Sequence, residues 1–256
     1  MPDANFAAGL SPALVALGLF MVFGAGLIRG FTGFGFALAA VPLLSLILPP
    51  AQAVPLVLVL QALVGLSGVR RALYLCDWRS LRLLLLGALL ATPPGLWALT
   101  VLPAGLLRLL IAAAVLAAVG VLAGGLRLPG RARPWHALPF GVLAGLFNGT
   151  TGMPGPPVIA FFLASPNSTA VARASMVVFF LATSGMALLP LALGGVVTGP
   201  VVGAAALTFP AVWAGSWLGD RLYRASPGGH YRPVALGLMV ATAALAALRA
   251  LLGEGG

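Results

Sequence analysis

The chain has 256 residues, 61% hydrophobic and only 7% charged, with a formal net charge of +10. Soluble domains carry about 25% charged residues, so much of this surface must face lipid, and a soluble fold is excluded. Every basic residue is arginine, which removes the Walker A lysine and any lysine Schiff base. The single cysteine, Cys76, excludes an intrachain disulfide and a thiolate cluster, while His136 and His230 are too few and too isolated for a metal site. No cofactor or metal is expected.

In chain order, the N-terminus lacks the basic region of a signal peptide, so no cleavage is expected. Apolar segments follow near 11–30, 35–48, 52–69, 81–101 and 105–124. The stretch 127–134 reads as a cytoplasmic linker between a first half, 1–126, and a second half, 135–256. Segments near 136–150, 155–164, 170–193, 198–219 and 232–252 complete the second half. A spanning helix needs about 20 apolar residues, so 35–48 and 155–164 read as half-helices or re-entrant pieces. The predicted fold is an all-α polytopic membrane protein of about 8–10 hydrophobic segments.

The two halves match locally. Residues 25–33 read Ala-Gly-Leu-Ile-Arg-Gly-Phe-Thr-Gly and residues 144–152 read Ala-Gly-Leu-Phe-Asn-Gly-Thr-Thr-Gly, six of nine identical at an offset of 119 (Gly26 to Gly145). Arginines cluster at Arg70, Arg71, Arg79 and Arg82, at Arg127, Arg131 and Arg133, and at Arg221, Arg224 and Arg232. Such clusters between apolar runs mark cytoplasmic loops rather than a nucleic-acid surface. Equivalent loops of the two halves carry opposite charge bias: the arginine-rich loop after segment three answers to uncharged Gly194–Gly199. That pattern predicts inverted-topology repeats with both termini outside the cytoplasm.

Each half opens on a glycine-rich interruption. The first is Gly26-x-x-x-Gly30-Phe31-Thr32-Gly33-Phe34-Gly35. The second runs from Gly141 through Gly145 and Gly149 to Thr150-Thr151-Gly152-Met153-Pro154-Gly155-Pro156-Pro157. The upstream glycines fit small-xxx-small helix packing. Packing does not account for the threonines, later glycines and prolines, and Met153–Pro157 is not expected to be regular helix. Unwound backbone at membrane depth is tolerated where it is buried in protein or lines a cavity, and half-helix N-termini there favour an anion. The predicted site therefore joins both breaks. Arg29 and Arg173 supply charge, although each has the alternative of reaching an interface. Thr32, Asn148, Thr150 and Thr151 supply hydrogen bonds. Gly30, Gly33, Gly35, Gly152, Met153 and Gly155 supply close backbone approach. Gln61 either lines this site or makes an interhelical hydrogen bond. The acids Asp3, Asp77, Asp220 and Glu254 all lie away from predicted span centres, and Asp77 and Asp220 are expected to pair with nearby arginines. No intramembrane acid is available as a proton relay, and no constellation supports an enzyme.

These residues resemble the sulfite exporter TauE/SafE family of membrane permeases. The resemblance rests on Arg29-Gly-Phe-Thr-Gly-Phe-Gly with Pro42-Leu-Leu, and on Gly145-Leu-Phe-Asn-Gly-Thr-Thr-Gly-Met-Pro-Gly-Pro-Pro157. Trp78 and Gly215-x-x-x-Gly219 also fit. It covers nearly the whole chain, though Phe34 and Phe36 stand where the commoner version of the first motif has small residues. The resemblance implies a secondary transporter of a small sulfur-containing anion, such as sulfite or a sulfonate, in a bacterial-type cytoplasmic membrane. An anion channel and a carrier of a small carboxylate are the alternatives. The coupling ion, H+ or Na+, and assembly as a homodimer stay open.

Overall fold

In a computed structural model of the protein, residues 11–124 and 134–225 are described. The predicted segment 232–252, residues 127–133 of the linker and both termini lie outside the described residues. Every described element is helical: α1 Pro12–Thr32, α2 Phe36–Leu44, α3 Pro50–Leu66, α4 Val69–Leu75, α5 Trp78–Val101, α6 Ala104–Gly124, a 3₁₀ turn at Pro134–His136, α7 Ala137–Thr151, α8 Gly155–Ala164, α9 Thr169–Leu193 and α10 Gly199–Ala225. Four of these, α1, α5, α9 and α10, are long and apolar enough to cross a membrane, and α3 with α4 forms a pair bent by 74°, the geometry of a broken span or a re-entrant loop. The two short predicted segments are short helices, α2 and α8. Helix α4 was not foreseen; it falls in the arginine-rich stretch read as loop.

The helices start and stop where local chemistry dictates. Ser11 caps α1 by accepting from the Leu14 amide, with Pro12 in the first turn, where its missing N–H costs nothing. Gly33 ends α1 in the left-handed conformation (φ 82°), its amide bonded to the Arg29 carbonyl at 2.7 Å. Gly35 (φ 88°) opens α2 two residues later. In the second half Gly152 (φ 68°) ends α7. The expected irregular stretch is shorter than the motif suggests: α8 already begins at Gly155, and Pro156 and Pro157 sit in its first turn, a position that suits proline.

The upstream glycines lock α1 on α10 and α7 on α5. A Cβ on Gly26 or Gly30 would collide with the Val212 or Ser216 carbonyl of α10, and one on Gly219 with the Leu27 carbonyl of α1. A Cβ on Gly145 or Gly149 would collide with the Ala88 or Thr92 carbonyl of α5, and one on Gly95 with the Leu146 carbonyl of α7. Each contact in one pair has its counterpart in the other, and Leu27 and Leu146 stand at the same 119-residue offset as the motifs. Helix α3 meets α10 as α9 meets α5, and α3 and α9 meet each other. The first helix of each half, α1 or α7, is thus held by a helix of the other, α10 or α5, and the halves form one interlocked body. With no hydrophobic drive between helices in lipid, close backbone contact of this kind is what holds them together.

A polar knot ties α5 to the second half. Asp77 caps α5, accepting from the Arg79 and Ser80 amides, and it also accepts from the Ser80 hydroxyl at 2.7 Å and Asn167 Nδ2 at 3.1 Å. Its own amide donates to Ser175 Oγ of α9 at 2.9 Å. Burial alone pushes this carboxyl up, but the hydrogen bonds outweigh it and hold it below its ordinary value. Asp77 is thus a helix cap rather than the expected arginine partner, while Asp220 does pair with Arg224 one turn along α10.

Candidate functional site

Two cavities meet at the first break. An open cleft of about 700 Å³ is walled by the end of α1 (Arg29, Gly30, Gly33), the α3–α4 elbow (Val64, Ser67, Gly68), α4 (Arg71, Ala72, Leu75), the start of α9 (Ala170, Arg173, Ala174, Val177) and the end of α10 (Trp213, Ser216, Trp217, Asp220). Behind it lies a chamber of about 20 Å³ lined by Arg29, Gly33, Phe34, Gly35, Phe36, Gln61, Gly65, Val177 and Phe180. That is room for a single water. Arg29, Gly33 and Val177 belong to both cavities, so the break is the partition between them.

The cleft is electropositive. Arg29, Arg71 and Arg173 face one carboxylate, Asp220, which is itself engaged by Arg224 outside the cleft lining. The Arg173 guanidinium packs against Gly33 where a Cβ would otherwise stand, so this glycine provides both the left-handed turn and the space for a charge beside the backbone. Arg29 is half-buried and donates from Nη2 to the Val64 carbonyl at 3.0 Å. The same carbonyl accepts from the Ser67 hydroxyl at 2.7 Å. Thr32 does not offer its hydroxyl to the cleft: it donates to the Ile28 and Phe34 carbonyls and accepts from the Phe34 amide, shaping the turn between α1 and α2. Gln61 lines the chamber and makes an interhelical hydrogen bond, donating to Ser184 Oγ of α9 at 3.0 Å.

The second break has the same frame and a different environment. Asn148, at the position of Arg29, is fully buried and donates from Nδ2 to the Thr183 carbonyl at 2.9 Å, while Thr92 Oγ1 lies 3.5 Å away. Thr183 stands at the 119-residue offset from Val64, so both halves make one and the same bond from α1 or α7 to α3 or α9. Thr150 and Thr151 return their hydroxyls to the Leu146 and Phe147 carbonyls. Gly152 faces Val54 and Leu58 of α3, Gly155 faces Leu38 of α2, and Met153 is fully buried. None of these six residues lines either cavity. The structure brings Arg29, Gly30, Gly33 and Arg173 together, with Gly35 and Gln61 behind, and keeps Thr150, which is partly exposed, and Asn148, Thr151, Gly152, Met153 and Gly155, which are buried, apart from them.

Sequence reasoning missed Arg71, Val64, Ser67 and the tryptophans of α10 as part of this constellation. Arg71 was read for topology alone. Thr183-Ser184, a polar pair inside a long apolar run, was the legible sign that α9 receives something.

A multi-pass helical membrane protein with a charged cleft that ends on a broken helix is built as a membrane transporter. The chain belongs to the Sulfite exporter TauE/SafE family, whose sequence profile matches residues 18–246. It is 30% identical over 236 residues to the probable sulfite/organosulfonate exporter TauE of Cupriavidus necator strain H16, covering 89% of this chain and 91% of that protein. No solved structure matches it significantly.

Proposed function

We propose that the protein is a secondary transporter of a small sulfur-containing anion, sulfite or an organosulfonate, across the cytoplasmic membrane, and that the anion binds in the cleft between Arg29 and Arg173. The carrying observation is this pair of arginines at the Gly33 turn, where an open cleft and a small chamber share Arg29 and Gly33. Two guanidiniums present planar arrays of donors that match an oxyanion with several acceptor oxygens. The start of α2 adds its first amides, which have no intrahelical acceptor, at the back of the site.

The cleft opens among Arg71, Asp220 and the arginines that follow them, the side that the positive-inside rule assigns to the cytoplasm. It thus faces inward, with Phe34, Phe36 and Phe180 lining the chamber beside it. Alternating access then changes which side of Arg29 is open, and the equivalence of the α1–α10 and α7–α5 pairs supports oppositely oriented repeats as its basis.

The test is uptake into liposomes of sulfite, ethanesulfonate and small carboxylates, with pH and sodium gradients imposed separately. Saturable, counterflow-competent transport of the sulfur anions, lowered at least about 10-fold in Arg173→Ala by loss of a charged hydrogen bond, is the expected result. Transport of a carboxylate but of no sulfur anion would overturn the substrate. Non-saturating flux without counterflow would replace the carrier by a channel.

A further inference from the structure

The two equivalent hydrogen bonds are equal in geometry and unequal in what surrounds them. Asn148 Nδ2 to the Thr183 carbonyl (2.9 Å) is made by a neutral amide at zero exposure, packed against α5. A buried bond of this kind is costly to open, because no water reaches the amide to replace the lost acceptor and only the longer contact to Thr92 Oγ1 remains. Arg29 Nη2 to the Val64 carbonyl (3.0 Å) is made by a cation on the wall of an open cleft. Here a competing acceptor has access, and a full negative charge is a stronger partner for a guanidinium than a carbonyl dipole. The carbonyl loses little by the exchange, since it retains the Ser67 hydroxyl.

The Val64 carbonyl also sits at a mechanical joint. Helix α3 ends at Leu66, Gly68 adopts φ 81°, and α4 leaves at 74°. Nothing lies within 4 Å of where a Gly68 side chain would be. Arg71, Ala72 and Leu75 of α4 form one wall of the cleft. A bond from α1 to the last turn of α3 therefore fixes the elbow from which that wall extends.

Resting on the reading of the cleft as the anion site, we propose that Arg29–Val64 is a latch opened by the transported anion. The oxyanion takes the Arg29 guanidinium from the Val64 carbonyl, and this frees the α3–α4 elbow so that α4 moves. The Asn148–Thr183 bond stays closed and serves as the fixed counterpart in the other half. The Val64 carbonyl is thus an internal occupant of the anion site. Only an acceptor carrying charge displaces it, so neutral sulfones and sulfonate esters of the same size are refused.

The test places spin labels at Tyr74→Cys on α4 and Leu222→Cys on α10, both exposed, in a Cys76→Ser background, with anion binding followed separately by tryptophan fluorescence. Ethanesulfonate is expected to shift the inter-label distance, and dimethyl sulfone is expected to leave it unchanged. Arg29→Ala, which removes the latch, shows the shifted distance with no anion present. Arg29→Asn, which removes the charge, shows no anion-dependent change in distance and lowers anion affinity by about 10–100-fold, the worth of a charged hydrogen bond. If wild-type protein binds ethanesulfonate and the labels do not move, or if Arg29→Ala leaves the anion-free distance unchanged, the latch is wrong while the anion site stands. If wild-type protein binds no sulfur anion at all, the site reading fails, and the anion-driven latch fails with it.

Discussion

The two helix breaks share a backbone and differ in chemistry. Both end a glycine-locked helix on a left-handed glycine, Gly33 or Gly152, and both tie the residue four positions earlier, Arg29 or Asn148, to an equivalent carbonyl. The first break then opens onto a cleft and offers α2 amides. The second is packed against Val54, Leu58 and Leu38, and in α8 two prolines without an amide follow Gly155. Duplication supplied one frame twice, and side-chain substitution made one copy a candidate site and the other an anchor.

The sharpest way to break this comparison is at the shared frame. Gly30→Ala and Gly149→Ala each place a methyl into a carbonyl of the facing helix, and each is expected to cost about 1–3 kcal/mol of stability by overpacking. Thermal melting in detergent should show losses of similar size. Tolerance of one substitution and not the other would mean that the frame is not equivalent.

The anchor is tested next. Asn148→Ala leaves the buried Thr183 carbonyl without its α7 partner and is expected to cost about 1–3 kcal/mol. Arg29→Ala leaves a carbonyl that still has Ser67 and costs less stability while abolishing transport. Melting and liposome uptake on the same two preparations separate the roles; a fully stable, transport-dead Asn148→Ala protein would reverse them.

The smallest expected effect concerns the Asp77 knot, which joins α5 to the start of α9 beside the cleft wall. Asp77→Ala should cost about 1 kcal/mol, the usual worth of an N-cap. Because the folded carboxyl lies below its ordinary value, the unfolded chain binds more protons, and stability rises with pH. The Asp77 contribution is fully present above about pH 4, the ordinary carboxylate value, and is lost as pH falls through the lower folded value. Melting between pH 6 and pH 3 should show this loss in the wild type and not in Asp77→Ala.

Among the described residues, the order of the helices other than α4 was legible because apolar run length sets membrane-scale helices and because glycine and proline punctuate them. The short α2 and α8 were legible for the same reason, as was the duplicated motif. α4 was not, because seven residues with two arginines resemble a loop until packing on α9 holds them helical. The predicted site was half legible. Arg29 and Arg173 stand out as charges in apolar surroundings, but nothing in the motif itself shows that Thr32, Thr150 and Thr151 spend their hydroxyls on carbonyls one turn back. That satisfaction is the common fate of a hydroxyl in an apolar helix, where a free donor is costly.

By itself, then, the sequence determined a lipid-facing helical chain, its repetition and the positions of its two breaks, since these follow from local composition and backbone preference. Tertiary structure decided which break meets open space. Residues as far apart as Arg29, Arg71, Arg173 and Trp217 share a cavity only because α1, α4, α9 and α10 converge, and such convergence is a property of packing between distant segments that no local pattern encodes.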